Sequence, residues 1–390
     1  MRVGLCLSGG GSRAMVFHLG VFARLASQGV LEKVAFVSTV SGGSLVVGLT
    51  LSLSNYRWPS SDTYCSKILP RVRSLLTTHN LQGVYVRRCL SRPWRLLRGR
   101  ASVLASAIED TWPIDASLQD LPSTPRWLLN ATTYETGKNW RFERKRMGDW
   151  VMGYVLEPDF PLAQAMAASA AFPGLIGPLV VRSDEYSWHR YDHDAQGWTS
   201  SKPSLPHVCL WDGGVYENLG LEPLFKPGRG YREGVDFLLV SDASGASSSN
   251  PPRYRAPHRL IEIATEQVRG LRARMIVSHF EVHPGTGAYF RLGNTAREIL
   301  RKARVAPPHN WNPANALSPE DVAWAKTCPT NLKRLSAAGF ERLFHHGFEV
   351  ADITLAAYCP KEFDHVPHGQ SIVAEPPTGG APRPALAVSH

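Results

Sequence analysis

The stretch VGLCLSGGGSRAMVFHLGVFARL, residues 3–25, restricts the fold more than any other part of the chain. An apolar run of strand composition enters three successive glycines and then, without a spacer, a helical repeat. Glycine loses more backbone entropy on folding than any other residue, roughly 0.5–1 kcal/mol against alanine. Three together mark a backbone that something must approach closely. Beyond the turn the spacing predicts an amphipathic helix over 12–28, closed by Gly29, with Val16, Leu19, Ala23 and Ala26 on one face. KVAFVST predicts a second buried strand, followed after a tight turn by a helix over 43–53. Strand, helix, strand and helix in so short a span begin a parallel sheet with helices on both faces.

The expected architecture is a three-layer α/β/α fold with a central, mostly parallel sheet, plus C-terminal helices. Residues 1–245 form its main domain. WLLNATTYETG, HVCLW and DFLLVS supply further strands, and PLAQAMAASAAFPGL a small-residue helix stopped by Pro173 and Gly174. Two segments interrupt this pattern: a basic insertion at about 60–120 and a polar hairpin at about 183–206. His189 and His193 belong to the hairpin, which the composition favours over a metal site. A linker at 246–257, rich in Ser and Pro, leads to a helical part at 258–359 packed on the core, and then to a tail at 360–390 of disordered composition.

The chain has 390 residues, 43% of them hydrophobic, enough for one large α/β domain. No internal repeat is present, and the longest apolar stretch, 45–53, is too short for a membrane span. Met1 and Arg2 lead straight into the first strand without an apolar leader segment. The six cysteines are scattered with no C-x-x-C pair, against a disulfide scaffold or a structural zinc site. Cys6 and Cys209 fall in expected core strands, where a thiol packs as a small hydrophobe. A cytoplasmic protein is expected.

The net charge of +10 is placed unevenly: no Asp or Glu occurs at 63–108, while Lys67, Arg71, Arg73, Arg87, Arg88, Arg92, Arg95, Arg98 and Arg100 do. VYVRRCLSRPWRLLRGR interleaves Arg with apolar residues, which suits an anionic membrane contacted at about 67–100. A solvated basic face is the plain alternative, and Pro93 breaks any single amphipathic helix. Aromatic platforms of the kind that stack nucleic-acid bases are lacking, so nucleic acid is not expected as a partner.

Three motifs bear on chemistry. FVSTVSGGSLVVG runs a strand into Thr39-Val40-Ser41-Gly42-Gly43 and turns at once into a helix, the layout that exposes a serine hydroxyl at a helix N-terminus. Ser38 and Ser44 are rival serines, but neither occupies the apex. Ser-Gly9-Gly10-Gly11-Ser-Arg13 offers backbone N–H groups at a helix start, an anion site that suits either a dinucleotide phosphate or an acyl oxyanion. Ala14 stands where the dinucleotide fingerprint prefers a third glycine, and the next strand ends in STVSGGS rather than a ribose-binding acid. The Gly-Lys-Ser/Thr of a phosphate loop is missing as well. Asp212, in VCLWDGGVYENLG, is delivered by a strand to a turn where Gly213 and Gly214 leave its carboxylate accessible. No histidine sits in a triad-like context; His18 lies on the first helix and His345-His346 on a late one. Burial would raise the pKa of Asp212 and make it a serviceable base for a serine.

Together GGGSR, TVSGG and DGG, in that order and each at a strand end, resemble the patatin-like phospholipases. NATTYETG and AMAASAAFPGL are similar to further segments of that family, and the likeness covers about 1–240. The resemblance implies a carboxylic ester hydrolase acting on phospholipid or lysophospholipid through a Ser–Asp dyad. Ser41 would be its nucleophile and Asp212 its base. Gly9, Gly10, Gly11 and Arg13 would make the oxyanion hole, and neither metal nor cofactor would be needed. Thr39 departs from the G-x-S-x-G pattern of the elbow. The rival readings are a serine acyltransferase of the same fold, which would call for a histidine base, and a non-catalytic membrane-binding protein, which would have lost Ser41 or Asp212.

Overall fold

The computed structural model describes residues 1–91, 99–174, 176–192, 194–203, 205–245 and 256–366. His193, nearly all of the expected linker and most of the expected tail lie outside the described residues. The chain opens with β1 (Val3–Leu7), α1 (Gly11–Ala26), β2 (Val34–Thr39) and α2 (Gly42–Leu53). The basic insertion is helical: α3 (Ser61–Thr63) widens through a π turn (Tyr64–Ile68) into α4 (Leu69–Thr78), followed by α5 (Leu81–Ser91) and α6 (Arg100–Thr111). Next come β3 (Arg126–Thr133), β4 (Asn139–Glu143), β5 (Arg146–Asp149), β6 (Gly153–Leu156), α7 (Leu162–Ser169) and β7 (Leu179–Arg182). β8 (Trp188–Asp192) and β9 (Gly197–Ser201) pair as the polar hairpin. β10 (His207–Asp212) leads into the single turn α8 (Gly213–Tyr216), and a small ribbon, β11 (Phe225–Lys226) with β12 (Gly230–Tyr231), follows. β13 (Phe237–Asp242), α9 (Ala256–Val282), β14 (Gly287–Arg291), α10 (Ala296–Ala303), α11 (Pro319–Thr327) and α12 (Ala337–Tyr358) complete the fold.

Five strands run parallel in the order β14-β13-β1-β2-β3, and the sheet continues antiparallel through β4, β5, β6, β8 and β9. The period-2 rule sorts the side chains of β1 between two cores: Val3, Leu5 and Leu7 join the larger one with α1, α2 and α12, while Cys6 faces the smaller one with Leu219, Leu224 and Ile276. Helices therefore cover both faces of the parallel strands.

Two expectations need correction. α1 is not amphipathic; every residue of it is buried. Its second face is covered by α12, and the two backbones nearly touch. A Cβ on Gly20 would fall 2.0 Å from the Phe344 carbonyl oxygen, and one on Gly347 2.0 Å from that of Phe17. Its polar residues are paired internally, Arg24 Nε donating to Asp352 at 2.6 Å. The C-terminal part, read as helical, also supplies β14, the outermost parallel strand, beside β13. In the basic insertion Arg73 pairs with Glu341 of α12 at 2.6 Å, and Arg88 with Asp110 of α6, so part of that charge is neutralised.

Candidate active site

The topology around β3 brings two strand ends together. Along one edge of β3, β2 pairs with residues 126–129, Thr39 lying beside Leu129. Farther along the same strand β10 pairs with residues 131–133, Asp212 lying beside Ala131. The other edge is taken by β4, which pairs with residues 129–132. So β2 and β10 approach head to head, with only Asn130 between their registers. Asn130 fixes that gap: its Nδ2 donates to the Thr39 carbonyl and to Ser38 Oγ, both at 2.9 Å. Its own carbonyl lies so near the Asp212 turn that a Cβ on Gly213 would fall 2.5 Å from it.

Ser41 caps the N-terminus of α2 with φ 50° and ψ −115°. A non-glycine residue held there costs on the order of 1–3 kcal/mol and persists only where its surroundings impose it. The imposing contacts come from α7: the Ser41 N–H donates to the Ser169 carbonyl at 3.1 Å and to Ser169 Oγ at 3.0 Å. Ser169 Oγ in turn donates to the Asn130 carbonyl at 2.7 Å and meets Ser44 Oγ at 2.8 Å. Ser44 meets the Thr39 hydroxyl at 2.8 Å, and Thr39 accepts from the Trp127 indole at 2.9 Å. Thr39, which departs from the glycine of the motif, is thus one member of a buried polar chain beneath the turn. Val40 anchors the elbow to β1 by donating to the Leu7 carbonyl at 3.0 Å.

The glycine loop lies against this elbow. Gly10 (φ 142°) and Gly11 (φ 60°) adopt conformations that favour glycine. Gly42 packs on Gly11 so closely that a Cβ on it would meet the Gly11 carbonyl oxygen at 2.5 Å, and one on Gly43 would meet that of Leu7 at 2.6 Å. A Cβ on Gly9 would fall 3.0 Å from that of Ser41. The Gly9 N–H is committed to the Asn218 carbonyl at 3.2 Å and that of Ser12 to the Asn331 carbonyl at 2.8 Å. Among the described residues the N–H groups of Gly10 and Gly11 have no such acceptor. Arg13 is buried, its Nε donating to the Ala243 carbonyl at 3.1 Å and its Nη1 to that of Cys328. It braces the loop from behind, adding positive charge beneath Gly10. His18 supports the same loop: Nε2–H donates to the Ser8 carbonyl at 2.9 Å, which leaves Nδ1 to accept from Ser241 Oγ at 2.8 Å. Burial holds this imidazole neutral, with a pKa lowered to about 4.

Asp212 is 3% exposed. Burial pushes its carboxyl up to about 7, against the opposing pull of the Gly214 N–H and the Ser41 hydroxyl. The Gly214 bond is 2.7 Å long. Asn218 lies between this turn and the glycine loop: its Oδ1 is 2.8 Å from where a Gly214 Cβ would stand and 2.5 Å from that of Gly9. Its Nδ2 is held by Ser244 at 3.0 Å. Asn130, Ser169 and Asn218 thus belong to the constellation, and none of them stands out in the sequence as a site residue. Their only signal was the segment that holds each: NATTYETG for Asn130, AMAASAAFPGL for Ser169 and DGGVYENLG for Asn218. Among the described residues no group of three or more His, Cys, Asp or Glu is placed to hold a metal ion.

A family model described as patatin-like phospholipase matches residues 5–225. Among solved structures, human GIVD cytosolic phospholipase A2 matches with a TM-score of 0.50 at 15% identity, covering 91% of this chain and 59% of that one. The chain therefore spans less than two thirds of that protein's length. The same human protein in complex with methyl γ-linolenyl fluorophosphonate matches with a TM-score of 0.45 at 17% identity, over 91% and 58% of the two chains. VipD from Legionella pneumophila matches with a TM-score of 0.32 at 15% identity, over 89% and 66%. No curated protein matches in sequence. At such identities the first of these likenesses is one of fold.

Proposed function

The chain belongs to the patatin-like phospholipase family, and from that premise we propose that it is a lipid acyl hydrolase working through an acyl-Ser41 intermediate with Asp212 as base. The observation that supports this best is that β2 and β10 bring the Ser41 hydroxyl to a buried carboxylate whose pKa lies about 7, beside two uncommitted N–H groups. Ser41 Oγ attacks the acyl carbonyl carbon while its proton passes to Asp212. The carbonyl oxygen becomes an alkoxide and is received by the N–H groups of Gly10 and Gly11, in the field of a helix N-terminus. Gly9 contributes clearance rather than a donor. The tetrahedral species collapses, the alcohol leaves with the proton from Asp212, and the acyl group stays on Ser41. Water then gives a proton to Asp212 as its oxygen adds to the acyl carbon. That proton returns to Ser41 Oγ as the fatty acid departs.

A carboxylate of ordinary acidity would be a poor base for an alcohol, and burial removes that objection. His18 is held by Ser8 and Ser241, and His346 Nε2 accepts the Gly293 N–H at 2.8 Å, so neither serves Ser41. The substrate in this reading is a glycerophospholipid or lysophospholipid, met by a cytoplasmic protein at a membrane surface. No helix among the described residues is long and apolar enough to cross one.

The test is fatty-acid release from phospholipid vesicles by the wild type, Ser41→Ala and Asp212→Asn. Release by the wild type, with both variants lower by more than about 10³-fold, is the expected result. Persistent release by Ser41→Ala refutes the mechanism.

A further inference from the structure

Two exposed flanks border the site, and hydrolysis makes no use of either. On one side β3 runs on past Ala131, the register partner of Asp212, and Tyr134 follows about 10 Å farther along the backbone at the strand rise, its N–H donating to the Cys209 carbonyl of β10 at 2.9 Å. Tyr134 is 72% exposed and Trp150 69%. The turns that present them are tied together by Asp149, whose carboxylate accepts from the hydroxyls of Thr133 (2.6 Å) and Thr136 (2.8 Å) and from the N–H groups of Val151 and Met152. Lys138 Nζ lies 5.5 Å from the centre of the Trp150 ring.

On the other side the backbone of Asn331 covers the start of α1, and Leu332 exchanges two hydrogen bonds with Gln82 on α5 (3.0 and 3.2 Å). The next residue, Lys333, and the outward face of α5 line an open groove of about 630 Å³. That face presents Val86, Arg87 and Leu90 at helical spacing, and Leu90 is 78% exposed. Among the described residues neither Arg87 nor Lys333 has an acidic partner, in contrast to Arg73 and Arg88.

Exposed tryptophan and tyrosine are stable at the headgroup boundary of a bilayer, unpaired cations are drawn to anionic headgroups, and aliphatic side chains on a basic helix face reach the acyl region. A polyanion such as RNA would use the cations and leave Val86 and Leu90 in water. We propose that these two flanks seat the protein on an anionic phospholipid bilayer, with the mouth of the Ser41 site between them. This rests on reading that site as a lipid acyl hydrolase, and adds the partner and the face that meets it.

Binding is measured on Ser41→Ala protein by co-sedimentation with vesicles of phosphatidylcholine alone or of equal parts phosphatidylcholine and phosphatidylglycerol. Preference for the mixed vesicles is expected. Arg87→Gln with Lys333→Gln should lower affinity about 25-fold, about fivefold per charge. Tyr134→Ala with Trp150→Ala should weaken binding without changing its salt dependence. In protein with Ser41 intact, both pairs of changes should leave hydrolysis of a soluble short-chain ester unaltered and lower vesicle hydrolysis in step with binding. Vesicle binding equal to wild type in both double variants overturns the proposal, as does capture of single-stranded RNA in preference to the mixed vesicles. Binding as expected by a protein inert toward every ester would uphold the docking face and remove the hydrolase reading instead.

Discussion

Replacing Asp212 by asparagine should abolish the activity and make the protein more stable, by an amount set by pH. In the fold this carboxyl ionises at about 7, against an ordinary value of 3.8. Between those values the folded state holds a proton that the unfolded state has lost, so stability falls as pH rises. A shift of about three units at 1.36 kcal/mol each puts the whole loss at ~4 kcal/mol, complete above about pH 7. Asparagine can still accept the Gly214 N–H through its oxygen and donate to Ser41 Oγ through its nitrogen, with no charge to desolvate. The variant should match the wild type near pH 4 and exceed it by ~4 kcal/mol at pH 8. For 390 residues the unfolding entropy is about 0.8 kcal/mol/K, so the melting temperatures should differ by about 5 °C at pH 8. Scanning calorimetry of both proteins from pH 4 to pH 8 reads this directly. A gap that is the same at both ends of the range, or a variant that melts below the wild type at pH 8, would show that the buried carboxylate is not the strained group inferred here.

The same titration sets the rate: kcat/KM for a soluble ester should rise tenfold per pH unit below about 7 and level off above it, since only ionised Asp212 can take the serine proton. A profile flat from pH 5 to pH 8 would exclude Asp212 as the base. Gly42→Ala places a Cβ 2.5 Å from the Gly11 carbonyl oxygen and 2.9 Å from its nitrogen, so the glycine loop must retreat from Ser41. Turnover should fall about 10²–10³-fold, the cost of one oxyanion donor, with the circular dichroism spectrum unchanged. Thr39→Gly restores the family pattern yet strands the buried Trp127 N–H, at a cost of about 1–3 kcal/mol. A urea midpoint equal to that of the wild type would mean that the Thr39 hydroxyl is dispensable.

The fold was legible wherever the signal is local. β1 and β2 are apolar and short, the helices after them follow without spacers, and the small-residue composition of α7 suits its position beneath the elbow. The amphipathic reading of α1 failed because polar residues in a helix look like a solvent face when their partners are distant. Arg24 meets Asp352 across 328 positions, and His18 meets Ser241 across 223. β14 was missed because GAYFR is short and carries no alternation, and it is recognisable as a strand only once β13 is beside it. The charge of the basic insertion was countable, whereas its division between paired Arg73 and Arg88 and unpaired Arg87 depends on acids distant in sequence, Glu341 on α12 and Asp110 on α6.

At the site the limit of local reading falls between motifs. Each of GGGSR, TVSGG and DGG is a strand end with its turn, and the residue types alone state what such a turn can present. That Ser41 and Asp212 come together follows from something no motif encodes: β2 and β10 run in opposite directions along one edge of β3 and stop one residue apart. The residues that hold this junction, Asn130 and Ser169, lie in the segments NATTYETG and AMAASAAFPGL, whose likeness to the family marks the neighbourhood but not the bonds these two side chains make. Thr39 makes the point most sharply. As a deviation from a glycine it reads as extra bulk ahead of the serine, but its hydroxyl links the Trp127 indole to Ser44, Ser169 and so to the N–H of Ser41 itself. The residue that breaks the pattern helps to hold the φ of 50° that the pattern exists to produce. A departure from a motif is therefore to be weighed against the partners it acquires, and here those partners lie on β3, α2 and α7.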